Sequence, residues 1–327
     1  MSADPVFGGA GYPLTPRPHR GGSLPGLLPI VSRVSRPPFV TPPDHVSAER
    51  FTLPDGAGLA VWRAAPWGVA AGRPSKGTIL LVPGWTGSKE DFISIFGTLS
   101  ERGWEVLSYD QRGQHESDSF DRESDYSLAG FAADLTTLAA AQPTIAPVHL
   151  VGHSFGGLVS QQAIASRMAV SSLTLMCTGP GALDTTEATA VGEYKAVLAE
   201  HGPHVLWEGL RQRALARGEL ETDPQVAAFL RARHFASSPA GLMAKAQLLM
   251  TAPDIIDEVA AALAAARRPS LVMFGELDDA WPLEWQVTMG TRLGAEVVEL
   301  PGAGHSPAVE DPDATVELLD RFCGAAR

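Results

Sequence analysis

A serine between glycines, at the junction of two periodicities, constrains this chain more than any other feature. In "HLVGHSFGGLVSQ", residues 149–161, an apolar run ends at Gly152-His153-Ser154-Phe155-Gly156 and an amphipathic run follows. A strand that becomes a helix within one residue needs a sharp, strained turn, and side chains flanking its apex would strike neighbouring backbone. Gly157 lets the helix approach the sheet closely. The glycines alone also suit a plain turn whose serine caps the next helix. Catalysis requires more, namely a base, an acid and an oxyanion site at the same edge of the fold.

The rest of the chain predicts where those groups stand. Short apolar runs at 77–84, 104–110, 171–179, 267–276 and 295–302 read as strands, as does "APVHLVGHS" before the turn. Helical patterns fill 126–142, 283–293 and 312–323, and another follows Ser88, with Asp91 in the position of a capping box. "ERFTLPDGAGLAVWRAAP" reads as a hairpin around Asp55-Gly56. Strands alternating with helices predict an α/β fold, a mostly parallel twisted sheet with helices on both faces. Residues 181–265 carry helical patterns and no strand, which predicts a helical cap inserted between two parts of a core, 46–180 and 266–327.

Residues 1–45 stand apart. They are dense in proline and glycine, with Arg17, Arg20, Arg33 and Arg36 among them, and predict a flexible extension with too little apolar surface to offset its ordering entropy. The formal net charge of −12, without a lysine- or arginine-rich block, speaks against nucleic acid and anionic membranes as partners. No apolar run is long enough for a transmembrane helix, and the N-terminus lacks the pattern of a secretory leader. Cys177 and Cys323 are the only cysteines, far apart, which favours a reducing compartment over a disulfide framework. The expectation is a cytoplasmic monomer or homodimer acting on a small molecule, with no cofactor motif and no metal-ligand spacing.

A serine hydroxyl needs a base within hydrogen-bond reach. His305, in "PGAGHSPAVEDP" after the last strand, falls at the same carboxyl edge of the sheet as Ser154. His153 is adjacent to the serine and should point elsewhere. His115, His201, His204 and His234 lie in loops or the insertion. An imidazole in turn needs an acid to fix its tautomer, and "FGELDDAWP" offers Glu276, Asp278 and Asp279, with Asp184 after an earlier strand as a further candidate. One oxyanion donor is the Phe155 N–H at the start of its helix. A second is the Trp85 N–H in "PGWTGSKEDF", where Gly84 permits close approach. Trp85, Phe155 and Trp281 are candidate pocket residues, joined from the cap by Trp207, Phe229 or Met243.

Over roughly residues 48–325 the chain resembles the α/β-hydrolase superfamily, through "GHSFGG", "VPGWTGSKEDF", "YDQRGQHESD", "FGELDDAWP" and "PGAGHSPAVEDP". The resemblance implies Ser154 as nucleophile, His305 as base and Asp278 as acid, because the family's glycine, acid and proline fall on Gly275, Asp278 and Pro282. It also implies a structural role for the Asp110–Gly113 loop and a cap in the insertion. Two motifs depart from the family. Pro83-Gly84 stands where His-Gly is common, and Gly113-Gln114-His115-Glu116-Ser117 replaces Gly-His-Gly-x-Ser.

A serine nucleophile points to acyl transfer through an acyl-enzyme, since relatives that displace at an sp³ carbon carry an aspartate there. A mostly apolar pocket favours a small, largely apolar ester or lactone. Carbon–carbon bond hydrolases, thioesterases and aminopeptidases share this fold. A ligand-sensing receptor with little turnover is the alternative from a different class.

Overall fold

Thr78–Val82 is buried at every position, as a central parallel strand covered on both faces must be. It is β3 of a single eight-stranded sheet in the computed structural model, which describes residues 35–142, 147–218 and 221–326. Most of the expected extension, residues 1–34, lies outside the described residues. β1 (Val46–Thr52) and β2 (Gly58–Ala64) form the hairpin about Asp55-Gly56, with Thr52 opposite Gly58. β4 (Glu105–Tyr109), β5 (Val148–His153), β6 (Ser172–Met176), β7 (Ser270–Gly275) and β8 (Glu296–Leu300) complete the sheet. The order is β1-β2-β4-β3-β5-β6-β7-β8, and all pairs from β4 onward are parallel.

The connecting helices are α1 (Ile93–Glu101), α2 (Leu128–Ala140) and α3 (Phe155–Ala165), then α4 (Thr185–Ala216), α5 (Pro224–Ala236) and α6 (Pro239–Thr251) in the insertion. α7 (Ile256–Ala266), α8 (Leu283–Leu293), the one-turn α9 (Pro307–Glu310) and α10 (Pro312–Ala325) follow. α1 packs on α10, and α2, α3, α7 and α8 lie side by side, giving the two helical layers. Start signals are local and readable. Asp223, Ser238 and Asp311 cap α5, α6 and α10, each followed by a proline at the first helical position. Ser88 and Asp91 make the reciprocal capping box before α1.

α4 is two helical stretches that meet at a kink, where Gly202 takes φ 76° and Pro203 follows. One expectation about the insertion changes. The cap was expected to reach residue 265, yet α7 packs against α3 and α8 and so belongs to a core layer. Its buried stripe of Ile256, Val259, Ala262 and Leu263 is the reason, being the face that lies on those helices. The helices inserted between β6 and α7, the candidate cap, are thus α4, α5 and α6.

Candidate active site

Ser154 sits between the end of β5 and the start of α3 with φ 54° and ψ −123°, a conformation costly for any residue with a Cβ. Its own N–H donates to the Met176 carbonyl of the neighbouring strand at 3.0 Å, which holds the apex over the sheet edge. The flanking glycines are required by contact. A Cβ at Gly152 would come within 2.5 Å of the Gly156 carbonyl oxygen, and one at Gly156 would strike the Val82 carbonyl.

Across the edge, His305 Nδ1 bonds Asp278 Oδ1 at 2.7 Å. Asp278 is held in turn by the Ala280 N–H at 3.1 Å and by Gln286 Nε2 at 2.8 Å. This leaves Nε2 of the imidazole as the nitrogen free to meet a hydroxyl. Burial opposes the imidazolium, but the Asp278 carboxylate beside it raises the His305 pKa above its ordinary value. Burial likewise pushes Asp278 upward, and the His305 ring and the Gln286 amide outweigh it, so the carboxyl stays below its usual range. Asp279, one residue on, is exposed, and Asp184 accepts from the Thr186 and Glu187 N–H groups as the cap of α4. Glu276 accepts from Gly302 N. Only Asp278 of the four candidate acids touches His305.

The loop after β3 lies over Ser154. A Cβ at Gly84 would stand 3.2 Å from Ser154 Cβ and 3.6 Å from His153 Nδ1. Its carbonyls are turned away from the serine by buried glutamines. Gln111 Nε2 donates to Pro83 O at 2.7 Å, and Gln114 Nε2 donates to both Gly84 O at 2.6 Å and Trp85 O at 3.0 Å. Gln114 Oε1 accepts from Gln111 N, so its amide orientation is set by the loop itself. The Trp85 and Phe155 N–H groups donate to no other described residue. They are therefore available as the paired donors an oxyanion needs. The Gln114 anchor was not anticipated. The signal was present, for it stands at the second of the two family departures.

Ser154, His305, His153, Trp85, Thr86 and Trp281 line one chamber of about 40 Å³, roofed by Leu183, Val191 and Leu249 from the insertion. Phe155 does not line it. At the first position of α3 its side chain turns into the core and meets Phe131 edge-on, with ring centroids 5.6 Å apart, so only its backbone serves the site. Of the cap candidates, Trp207 lines a separate cavity, while Phe229 packs against the ring of His115 and the guanidinium of Arg233. Met243, half-buried on α6, packs against the core cluster. His153 is buried, with Nε2 2.6 Å from the His305 carbonyl oxygen, and burial takes its pKa down to about 4. It steadies the loop that carries His305 and was missed because adjacency to Ser154 suggested that it turned away.

A buried ion pair ties cap to core beside this chamber. Arg233 Nη1 of α5 lies 2.6 Å from Asp91 Oδ1 and 3.3 Å from Ser88 Oγ, and Nη2 donates to Ser35 O at 2.8 Å. As to metals, donor atoms of Glu90, Asp110 and His115 converge, but the Lys89 ammonium already sits among them, 2.8 Å from Glu90 and 2.9 Å from Asp110. The other converging set, Cys177, Asp278 and His305, is the acid–imidazole pair with a buried thiol whose pKa burial drives upward, so it offers a cation one carboxylate already engaged.

The sequence matches the alpha/beta hydrolase family over residues 79–318. It is 37% identical over 99 residues to the putative carbamate hydrolase RutD of Variovorax paradoxus, across 30% of this chain and 36% of that protein. The chain thus matches only about a third of the length of that curated relative. Among solved structures, an esterase from Thermogutta terrifontis superimposes with TM-score 0.67 at 22% identity, covering 86% of this chain and 99% of that one. The enol-lactonase of Burkholderia xenovorans LB400 gives 0.65 at 22% identity, with 82% and 97% covered. At these identities the structures speak for the fold alone. Among the described residues, no helix is long and apolar enough to cross a membrane. With the family matched along most of its length and the family's sheet beneath it, this chain belongs to the alpha/beta hydrolase family.

Proposed function

We propose that this hydrolase cleaves a small, largely apolar ester or lactone through an acyl-enzyme on Ser154, with His305 as base, Asp278 as its orienting acid, and the Trp85 and Phe155 N–H groups as oxyanion donors. The observation that carries the reading is a convergence. A serine on a strained apex shares one chamber with an imidazole whose far nitrogen is engaged by a buried carboxylate, beneath two N–H groups with no other described partner.

The chemistry follows from that arrangement. Ser154 Oγ attacks the carbonyl carbon as its proton passes to His305 Nε2, and the carbonyl oxygen takes the developing negative charge toward the two N–H groups. The tetrahedral adduct collapses, His305 returns the proton to the departing alkoxide, and the alcohol leaves. Water then adds to the acyl carbon with His305 again as base, and Ser154 regains its proton from the imidazolium. Asp278 stays ionised throughout and stabilises the imidazolium.

The test is hydrolysis of p-nitrophenyl esters from acetate to decanoate by the wild type and Ser154→Ala. Turnover of at least the short esters, lost in the variant, is expected. Wild-type inactivity on every ester sinks the ester reading. A p-nitrophenyl carbamate belongs in the panel because the curated relative is described as a putative carbamate hydrolase. Its carbonyl would meet the same donors.

A further inference from the structure

The chamber around Ser154 is too small for most of a substrate, and a second cavity begins where it ends. At about 40 Å³ the first has room for only a few water-sized groups, since each needs about 10–15 Å³ of such space. The second holds about 250 Å³ inside the cap, with walls from Trp207, Leu210, Leu230 and Leu242. Thr86, next to the oxyanion residue Trp85, borders both. Arg211, exposed, and half-buried Glu221 mark the surface end of the second cavity.

One hydroxyl on the wall of this cavity has no partner among the described residues. Tyr194 of α4 lines it, is 3% exposed, and packs its ring edge-on against Trp85 with centroids 4.6 Å apart. Its hydroxyl bonds to no described residue, although a buried phenol ordinarily finds a partner. Thr86, at the neck, likewise has no hydrogen bond to a described residue. The deeper polar walls Arg233, His234 and Ser237 already have partners, so these two hydroxyls fit a ligand that supplies the missing oxygen.

Resting on the ester-hydrolase reading above, we propose that the cap cavity binds the acyl chain of the substrate, a mid-length chain bearing one hydroxyl or keto oxygen that Tyr194 recognises, while the alcohol part is small. The direction comes from the chemistry at the triad. His305 protonates the departing oxygen, so the alcohol lies on the His305 side. His305 is not among the walls of the cap cavity, whereas Thr86 extends the loop that binds the oxyanion. The chain entering past Thr86 is therefore the acyl chain. Tyr194 is a specificity residue here, outside the bond-breaking steps.

Three measurements decide it. Methyl octanoate should be cleaved at least tenfold faster, as kcat/KM, than its reverse ester heptyl acetate or than octyl acetate, and Leu242→Trp, which fills the cavity, should erase the preference for octanoate over acetate acyl groups. Methyl octanoates carrying a hydroxyl or keto oxygen at successive positions should show one favoured position. That advantage, about fivefold to tenfold for one hydrogen bond, should vanish in Tyr194→Phe while the preference for chain length remains. Independently of turnover, Ser154→Ala should bind the favoured oxygenated ester more tightly than methyl octanoate by tryptophan fluorescence, and the double variant with Tyr194→Phe should bind both alike. If binding follows this pattern but no ester is cleaved, the cavity assignment stands and the hydrolytic reading falls. Faster cleavage of long-alcohol esters, or an oxygen preference that survives in Tyr194→Phe, overturns the proposal.

Discussion

The two chambers that meet at Thr86 are built by different means. Around Ser154 the walls that carry the reacting groups are fixed by hydrogen bonds to backbone: Ser154 N to Met176 O, Gln114 to Gly84 O and Trp85 O, His153 to the His305 carbonyl. In the cap, the walls are mostly apolar surface of three helices meeting through packing, with the ion pairs Arg233–Asp91 and Lys195–Glu123 among those joining them to the core. Directional bonds hold reacting atoms to tenths of an ångström, whereas packing tolerates exchange of one apolar shape for another. Such a division suits the first chamber to the proposed chemistry and the second to the shape of the proposed ligand.

The sharpest way to break that contrast is to disable orientation without removing mass. Asp278→Asn keeps the shape beside His305 but removes the charge and offers the wrong hydrogen-bond partner, and kcat should fall about 10⁴-fold. The pH profile separates charge from geometry. In the proposed mechanism His305 must be neutral to act as base, and Asp278 raises its pKa, so wild-type kcat/KM should climb with pH through a midpoint above about 6.5. In the residual activity of Asp278→Asn that midpoint should move down. An unmoved midpoint would mean that the carboxylate only positions the ring.

On the cap side the largest expected effect is on stability. Arg233→Ala leaves Asp91, 2% exposed, as a buried carboxylate without its cation, and should cost about 3–5 kcal/mol in chemical denaturation. Arg321→Ala is the control, because its partner Glu296 lies on the surface and such pairs contribute about 0–1 kcal/mol. Equal losses from the two variants would show that the cap is not fastened at this pair. Next in size is Gln114→Ala, which frees two carbonyls of the oxyanion loop and should lower kcat roughly 10- to 100-fold with KM nearly unchanged, less than the outright loss of one donor. A change confined to KM would instead place Gln114 in ground-state binding.

Sequence and structure agree where the determinants are local. The glycines about Ser154, the Ser88 and Asp91 capping box and the buried runs of β3, β5 and β7 each declare themselves within a few residues. Ser154, Asp278 and His305 were placeable at one edge because parallel strands put their following loops on the same side. What escaped depended on contacts between distant segments. Phe155 faces the core because α2 brings Phe131 beneath it. α7 joins the core through helices encoded about a hundred residues earlier and two dozen later. Arg233 reads as one more polar residue on an amphipathic helix until Asp91 is found opposite it. Tyr194 and the cavity it faces have no local signature, since an apolar wall and an apolar core face share one pattern.

The smallest expected effect tests whether the serine turn stores strain. With φ 54° and ψ −123°, Ser154 occupies a region that costs about 1–3 kcal/mol for a residue with a Cβ and little for glycine. Ser154→Ala and Ser154→Gly both delete the hydroxyl and both should abolish acyl transfer, so activity cannot distinguish them. Stability can. Alanine retains the Cβ and the strain, while glycine releases it and gives back about 0.4–1 kcal/mol through the greater freedom of the unfolded chain. Ser154→Gly should therefore unfold about 1 kcal/mol later than Ser154→Ala in a denaturant titration with equal slopes. If alanine is more stable than glycine by about that 0.4–1 kcal/mol, the apex is held without strain. The glycines around Ser154 would then serve close packing alone.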